Sequence, residues 1–254
     1  MNIKHIDHAL VAKPHPSEYL MHKYWARKPH NVVAEYIKNY SKEGDIILDP
    51  FVGSGVTAIE GLKLKRKVVA VDLDPIAAFI THCTAISLDL IKFREAFEKI
   101  KEKLAEKIHS LYETTCAKCK RKTIAEAIIW NNGRPMDIRY SCSCSSKVLW
   151  KTPTAKDQGL LKDISKKPIR HWYPNNELIH NTRINVHPGT RVCDLFTRRN
   201  LIALSAILHE IEKIKDKTIR DLLLFTFSSA LPQASKLVFV IRRPGRERQV
   251  GSWA

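Results

Sequence analysis

Short apolar runs and amphipathic stretches alternate along the first third of the chain. The runs at residues 45–49 and 67–72 are typical of buried parallel strands. Apolar residues at helical spacing predict helices over residues 31–40, over 56–65, from residue 74 onward and from 93 to 108. This alternation of strands and helices predicts an α/β fold.

The pattern changes at residue 116. Three β-like runs, at residues 124–130, 137–140 and 147–150, predict a small β module. Residues 152–190 are basic with few periodic apolar positions and are expected to be irregular, whereas helices are predicted after residue 197 and over 218–230, and a strand over 236–241. The expected domains are therefore an α/β part (1–112), an inserted β module (113–151) and a basic linker with a helical C-terminal region (152–254).

A glycine-containing loop follows the first predicted strand. Gly53 and Gly55 let the backbone turn sharply and approach a ligand without obstruction by Cβ, and the next helix points its N–H groups at this loop. The second strand ends in Asp72, seventeen residues after Gly55, where a carboxylate can accept hydrogen bonds from a ribose diol. The pattern predicts a nucleoside-containing ligand and, since no Gly-Lys-Ser/Thr follows, excludes a P-loop. A tight strand–helix turn without a ligand is the alternative.

The segment DPFVGSGVT (49–57) resembles the DPF-x-GSG-x-T motif of the DNA amino-methyltransferases, which transfer a methyl group from S-adenosylmethionine to N6 of adenine or N4 of cytosine. VVAVDLDP (68–75) resembles their second cofactor motif, and HKYWARKPH (22–30) resembles the element that closes over the methionine part of the cofactor. DLFTRRNLIAL (194–204) is similar to a segment of large members that carry a zinc insertion. The resemblance implies a Rossmann-like methyltransferase sheet, a restriction–modification enzyme, and DNA as its partner, with RNA as a further option.

The same resemblance implies roles for individual residues. Asp49 would anchor the amino-acid end of the cofactor, Asp72 its ribose hydroxyls, and Phe51 and Leu73 would pack on its apolar parts. The implied cofactor contacts are Lys28, Pro29, Asp49, Pro50, Phe51, Gly53, Ser54, Gly55, Thr57, Asp72 and Leu73.

The sequence lacks the catalytic motif of that family, [D/N/S]-P-P-[Y/F/W], and contains no Pro-Pro pair. In that motif the polar side chain and a proline carbonyl accept hydrogen bonds from the target amino group, and the aromatic ring stacks on a flipped base. The catalytic residues are therefore unknown. Three expectations stay open: the chain is the N-terminal part of a longer enzyme, a second polypeptide supplies the motif, or the protein is a non-catalytic nucleic-acid-binding relative that keeps the methyltransferase scaffold.

Four of the six cysteines form two close pairs. Cys116 and Cys119 are separated by two residues, Cys142 and Cys144 by one, and 22 residues lie between the pairs. Such spacing predicts a four-thiolate zinc site with a structural role, and free thiols are the alternative.

The chain is strongly basic, with 43 Lys and Arg against 26 Asp and Glu, a net charge of +17 and a pI near 9.7. This balance favours polyanionic partners such as nucleic acid, although a merely solvated basic surface gives the same count. No apolar stretch approaches the ~20 residues that span a bilayer, and the N-terminus has no signal-peptide core, so a cytoplasmic location is expected. Candidate segments for phosphate contacts are residues 22–28, 118–122, 166–170, 198–199 and 242–248.

Overall fold

The computed structural model describes residues 5–131, 133–181, 186–237, 240–241 and 249–250, the last two pairs as backbone only. The chain forms two compact units, one of Met1–Arg94 with Lys215–Ser229 and one of Glu95–Ile214 with Ala230–Ala254. The domain limits expected from the sequence, at residues 112 and 151, stay a prediction.

The first unit has the alternation of strands and helices predicted for the first third of the chain. Its elements are α1 (Ser17–Leu20), α2 (His30–Tyr40), β1 (Ile46–Asp49), α3 (Val56–Lys63), β2 (Lys67–Ala70), α4 (Pro75–Ala85), the start of α5 (Leu90–Tyr112) and much of α8 (Lys217–Ala234). Apart from α1, which the sequence did not predict, these elements confirm the pattern. Helix α4 begins where Asp74 accepts a hydrogen bond from the Ile76 N–H at 3.0 Å, with Pro75 as its first residue.

Strands β1 and β2 pair in parallel, with Ile47 opposite Val68. Helix α3 covers one face of this pair, and Gly61 of α3 lies so close that a Cβ there would be 2.9 Å from Val68 Cγ2. The opposite face exposes four large apolar side chains, those of Ile46, Leu48, Val69 and Val71. The parallel strands and the helix on one face form an α/β unit. The complete Rossmann-like sheet stays a prediction.

The second unit contains an antiparallel sheet in the order β3-β4-β5-β6. These strands are β3 (Glu113–Thr115), β4 (Lys122–Asn131), β5 (Arg134–Tyr140) and β6 (Leu149–Lys151). The last three confirm the β-like runs of the sequence. Buried Cys116, Ala125, Ile138 and Tyr140 form the core beneath the sheet, which places one cysteine at the centre of this packing.

Residues 152–190 are not irregular throughout, as the sequence pattern predicted, because helix α6 spans Ala155–Lys166. Its start is fixed by a capping box: Thr154 Oγ1 accepts from the Asp157 N–H, and the Asp157 carboxylate accepts from the Thr154 N–H at 2.7 Å. Ile164 is buried in a cluster with Leu111 and Ile202. A cap and a few long-range contacts therefore stabilise a helix whose apolar periodicity is weak.

The helical C-terminal region is confirmed by α7 (Arg198–Glu212), which follows a 3₁₀ turn (Val192–Leu195), and by α8. Strand β7 (Val240–Ile241) pairs with β8 (Gln249–Val250) and lies in the predicted 236–241 strand, of which residues 238–239 are outside the described residues. The basic segment 242–248 is also outside them. Within the described parts of the chain, none of the helices has the length and apolarity that crossing a membrane requires.

Candidate functional site

The glycine loop between β1 and α3 is folded against the end of β2. The Val52 N–H donates to the Val71 carbonyl at 3.0 Å, and the Gly53 N–H donates to Asp72 Oδ2 at 2.7 Å. The other oxygen of this carboxylate accepts from the Asp74 N–H at 2.9 Å. The hydrogen bonds from the Asp74 and Gly53 amides lower the pKa of Asp72. The predicted loop and the predicted carboxylate are therefore in direct contact, and the carboxylate is charged.

Both glycines of the loop have positive φ angles and close neighbours. Gly53 has φ +54°, and a Cβ there would lie 3.2 Å from a ring carbon of Tyr24. Gly55 has φ +86°, and a Cβ there would lie 2.7 Å from Thr81 Oγ1. The Thr81 hydroxyl also donates to the Gly53 carbonyl at 3.2 Å. Conformation and space both require glycine at Gly55, whereas at Gly53 the positive φ favours glycine and an added Cβ would press on the Tyr24 ring.

The segment before α2 fixes the loop from another side. Arg27 Nε donates to Ser54 Oγ at 2.9 Å, and Arg27 Nη2 donates to the His22 carbonyl at 2.9 Å. Sequence reasoning selected Lys28 and Pro29 from this segment and missed Tyr24 and Arg27. The signal was available, because both residues lie inside the HKYWARKPH stretch.

The remaining predicted cofactor contacts lie around this loop. Asp49 ends β1, and its Oδ1 accepts from the Phe51 N–H at 3.1 Å. Phe51 and Leu73 are 86% and 98% exposed, so both side chains are accessible to a ligand at this loop. The positions of the others are as follows: Pro50 is exposed in the loop, Thr57 is half-buried in the first turn of α3, Lys28 is exposed, and Pro29 is the N-cap of α2.

The four paired cysteines converge at one end of the second unit's sheet. Cys116 and Cys119 lie in the β3–β4 connection, Cys142 and Cys144 in the β5–β6 connection, and their Sγ atoms all lie within 4.8 Å of one another. The sulfurs of Cys116 and Cys144 are 3.6 Å apart, and those of Cys119 and Cys142 are 3.5 Å apart. A tetrahedral zinc with Zn–S bonds of about 2.3 Å separates its sulfurs by about 3.8 Å. The arrangement of the thiols is therefore compatible with this metal.

Local backbone and charge favour a thiolate at Cys119, whereas the hydrogen bond with a neighbouring cysteine thiol raises the pKa of Cys144 to about 12. The Cys116 N–H donates to the Arg121 carbonyl at 2.9 Å, and the Lys120 N–H donates to the Cys116 carbonyl at 3.0 Å, so the first pair lies on a tight turn. Arg121 Nε donates to Cys119 Sγ at 3.4 Å and lowers the pKa of that thiol. A guanidinium beside sulfur favours the deprotonated form, which is the form that binds metal.

Part of this sequence matches a known protein family. The family described as DNA methylase matches residues 5–81, which include the segment before α2, the glycine loop and Asp72. The match covers less than a third of the chain, so residues 5–81, here called the DNA methylase segment, are similar to this family. The DNA methylase segment contains every predicted cofactor contact, whereas the four-cysteine cluster lies outside it.

Individual relatives match over similarly short lengths. The Type II methyltransferase M2.DpnII of Streptococcus pneumoniae is 40% identical over 52 residues, which are 20% of this chain and 19% of that protein. The Type II methyltransferase M2.LlaDCHI of Lactococcus lactis subsp. cremoris is 41% identical over 56 residues, 22% of this chain and 21% of that protein. The chain thus spans about a fifth of the length of these curated relatives. No solved structure matches the chain.

Proposed function

We propose that the DNA methylase segment binds S-adenosylmethionine at the glycine loop, as the cofactor-binding part of a methyltransferase that acts on an exocyclic amino group of adenine or cytosine in DNA. The observation that carries this proposal is the 2.7 Å hydrogen bond from the Gly53 N–H to Asp72, inside the segment that matches the family. This bond holds a close-approach loop and an acid that can accept ribose hydroxyls in one fixed arrangement.

Each element of the site then has a task in binding. A carboxylate offers about four lone-pair sites, so Asp72 can accept ribose hydroxyls in addition to its bonds from the Gly53 and Asp74 amides. Exposed Phe51 and Leu73 supply apolar cover for the adenine. Asp49, at the end of β1, would anchor the amino-acid end of the cofactor. We further propose that β1 and β2 are two strands of a Rossmann-like sheet.

Transfer of the methyl group also requires residues that bind the target base. The 254-residue sequence contains no [D/N/S]-P-P-[Y/F/W] motif, which has this role in the family that the chain resembles. We propose that this motif comes from outside these residues, in a longer chain or on a second polypeptide. The S-adenosylmethionine would supply the methyl group, and the residues described here would bind and orient it. The basic surface, with its net charge of +17, suits phosphate contacts to the DNA.

The second candidate function is non-catalytic binding of nucleic acid on a retained methyltransferase scaffold. The missing Pro-Pro pair and the positive net charge favour it. The two functions differ in cofactor affinity, because only the first requires the glycine loop to hold a ligand. The cytoplasmic location expected from the N-terminal sequence stays a prediction in either case.

A cofactor titration separates the two functions. Calorimetric titration of S-adenosylmethionine into the chain is expected to show micromolar binding, and Asp72→Ala is expected to weaken it at least about tenfold, because the variant loses the ribose acceptor and the partner of the Gly53 N–H. Asp74→Ala is the matched control: it removes a carboxylate two residues away that only caps α4, so stability falls by about 1 kcal/mol and affinity stays the same. A folded chain that binds no cofactor would favour the second function.

We also propose that Cys116, Cys119, Cys142 and Cys144 hold a structural zinc ion, because their sulfurs have the spacing of a tetrahedral site. Elemental analysis of the purified chain is expected to find about one zinc per molecule. Cys116→Ser is expected to lose the metal and to destabilise the β3–β6 sheet, whose core contains this residue. Cys193→Ser, which changes a cysteine outside the cluster, is expected to keep it. Equal zinc content in the two variants would contradict the site.

A further inference from the structure

We propose that Arg27 binds the carboxylate at the methionyl end of S-adenosylmethionine and makes the site selective for ligands that carry it. This inference rests on the proposed function and adds a residue and a specificity to it. The resemblance assigns residues 22–30 as a whole to the methionine part of the cofactor and gives Arg27 itself no role. Its contacts, its charge and the chemistry of the ligand each point to this role.

The contacts of Arg27 fix its guanidinium at the loop. Its Nε donates to the hydroxyl of Ser54, the central residue of the Gly-Ser-Gly turn, and Ser54 is only 5% exposed. Its Nη2 donates to the carbonyl of His22, the first residue of the stretch 22–30 that contains Arg27. These two bonds hold the guanidinium beside the glycine loop, with its central carbon 6.0 Å from the centroid of the Tyr19 ring.

The charge of Arg27 has no acidic partner in the described part of the chain, where no carboxylate oxygen lies within 4.0 Å of its nitrogens. The acid on the neighbouring face of α3, Glu60, is already occupied: it accepts from the Tyr19 hydroxyl at 2.6 Å and from Lys63 Nζ at 2.9 Å. Two of the five N–H donors of Arg27 are used in the bonds to Ser54 and His22. A positive charge and further donors remain for a ligand.

The ligand offers one group that matches. S-adenosylmethionine carries a positive ammonium, a positive sulfonium and neutral adenosine, so its carboxylate is the group that attracts a cation. A planar guanidinium pairs with a carboxylate more strongly than with neutral acceptors. The negative charge of Asp72 and the positive charge of Arg27 are hydrogen-bonded to neighbouring residues of the loop, Asp72 to the Gly53 N–H and Arg27 to the Ser54 hydroxyl. A ligand that lies across the loop with its diol at the acid and its carboxylate at the cation satisfies both.

The test compares S-adenosylmethionine with its decarboxylated form, which lacks only the carboxylate. By calorimetry, the wild-type chain is expected to prefer the complete cofactor by about ten- to a hundredfold, the range of a charge-assisted hydrogen-bonded pair. Arg27→Gln is expected to lower the affinity for the complete cofactor by about this factor and to leave the decarboxylated form nearly unchanged. Arg27→Lys keeps the positive charge but loses the planar guanidinium that can bind a carboxylate through two N–H groups. It is expected to retain part of the preference for the complete cofactor.

Arg66→Gln is the matched control, because Arg66 bonds a serine in the same way, from Nε to Ser41 Oγ at 3.0 Å, at a different place in the first unit. It is expected to lower the melting temperature and keep the ligand preference. If Arg27→Gln weakens both ligands by the same factor, Arg27 only orders the loop and the proposal is wrong, while the proposed function stands. If the wild-type chain binds neither ligand, the proposed function itself fails. If Arg27→Gln does not fold, the preference of Arg27→Lys decides: a reduced preference supports the proposal and an unchanged one overturns it.

Discussion

The substitution Gly55→Ala is expected to lower the free energy of unfolding by about 2–5 kcal/mol and to abolish measurable cofactor binding. Two costs add up. The φ angle of +86° strains any residue with a Cβ by about 1–2 kcal/mol, and the new methyl group would lie 2.7 Å from Thr81 Oγ1, an overlap that costs about 1–3 kcal/mol to relieve. Relief requires the loop or α4 to move, and either shift breaks the bond from Thr81 to the Gly53 carbonyl.

Gly44→Ala separates these costs, because Gly44 has nearly the same φ angle, +88°, and no atom within 4 Å of an added Cβ. It is expected to cost only the conformational part, about 1–2 kcal/mol, and to leave cofactor affinity unchanged. Chemical denaturation and calorimetry of both variants measure the difference. Adding Thr81→Ala to Gly55→Ala should recover part of the stability by removing the overlapping hydroxyl. Equal losses in Gly44→Ala and Gly55→Ala would show that Thr81 does not restrict the loop.

The substitution Asp157→Asn is expected to destabilise the second unit by about 3–5 kcal/mol, the usual cost of leaving one charge of a buried ion pair alone. Asp157 Oδ2 lies 2.8 Å from Lys151 Nζ, and both side chains are 5% exposed. Thr114 and Thr154 hydroxyls donate to the same carboxylate at 2.6 and 2.7 Å. Asparagine can keep some of these hydrogen bonds, but it cannot neutralise the lysine.

The same carboxylate makes stability depend on pH. Burial alone would raise the pKa of Asp157, but the bonds from Lys151, Thr114 and Thr154 outweigh it and lower the pKa to about 2 from the ordinary 3.8. A depressed acid contributes stability at pH values above its unfolded pKa, and this contribution, on the order of 2 kcal/mol, is lost as pH falls from about 4 to 2. Denaturation of the wild-type chain over this range is expected to show the loss, and Asp157→Asn is expected to lack it.

Two variants test the interpretation of the buried pair. Asp163→Asn changes an exposed aspartate on the same helix and is expected to alter stability by no more than about 0.5 kcal/mol. The double change Lys151→Met with Asp157→Leu removes both charges and is expected to cost clearly less than Asp157→Asn alone, although it also loses the Asp157 half of the capping box of α6. A double variant as unstable as the single one would mean that the cap, and not the ion pair, determines the effect.

The parts of the site that could be predicted from sequence are those built from neighbouring residues. The segment DPFVGSGVT and the apolar run that ends at Asp72 determine their conformation locally. The loop therefore follows β1, and the acid follows β2, as the sequence predicted. The contacts of Arg27 with Ser54 and of Thr81 with Gly53 join residues 27 and 28 positions apart, and they depend on the path of the chain between them. Ala26, for example, has a φ angle of +54°, which is uncommon for alanine, so this turn of the backbone could not be predicted from the residue type.

Helix α6 was missed for a related reason. Periodicity measures how apolar positions repeat, and this helix depends instead on the Thr154–Asp157 capping box and on one deeply buried residue, Ile164. The cysteines were the opposite case, because four residues of one rare type at two close spacings specify a cluster without knowledge of the fold. Spacing gave their proximity, while the metal itself stays a prediction.

The exposed face of the β1–β2 pair has a consequence for handling the protein. In the described residues each strand pairs only with the other, so each has a free outer edge next to the exposed side chains of Ile46, Leu48, Val69 and Val71. Unpaired strand edges beside apolar surface recruit other strands, including those of identical molecules. High salt screens the electrostatic repulsion between molecules of charge +17, so high salt and high protein concentration are expected to favour aggregation. Dilute, low-salt solutions are expected to keep the chain monomeric for binding experiments.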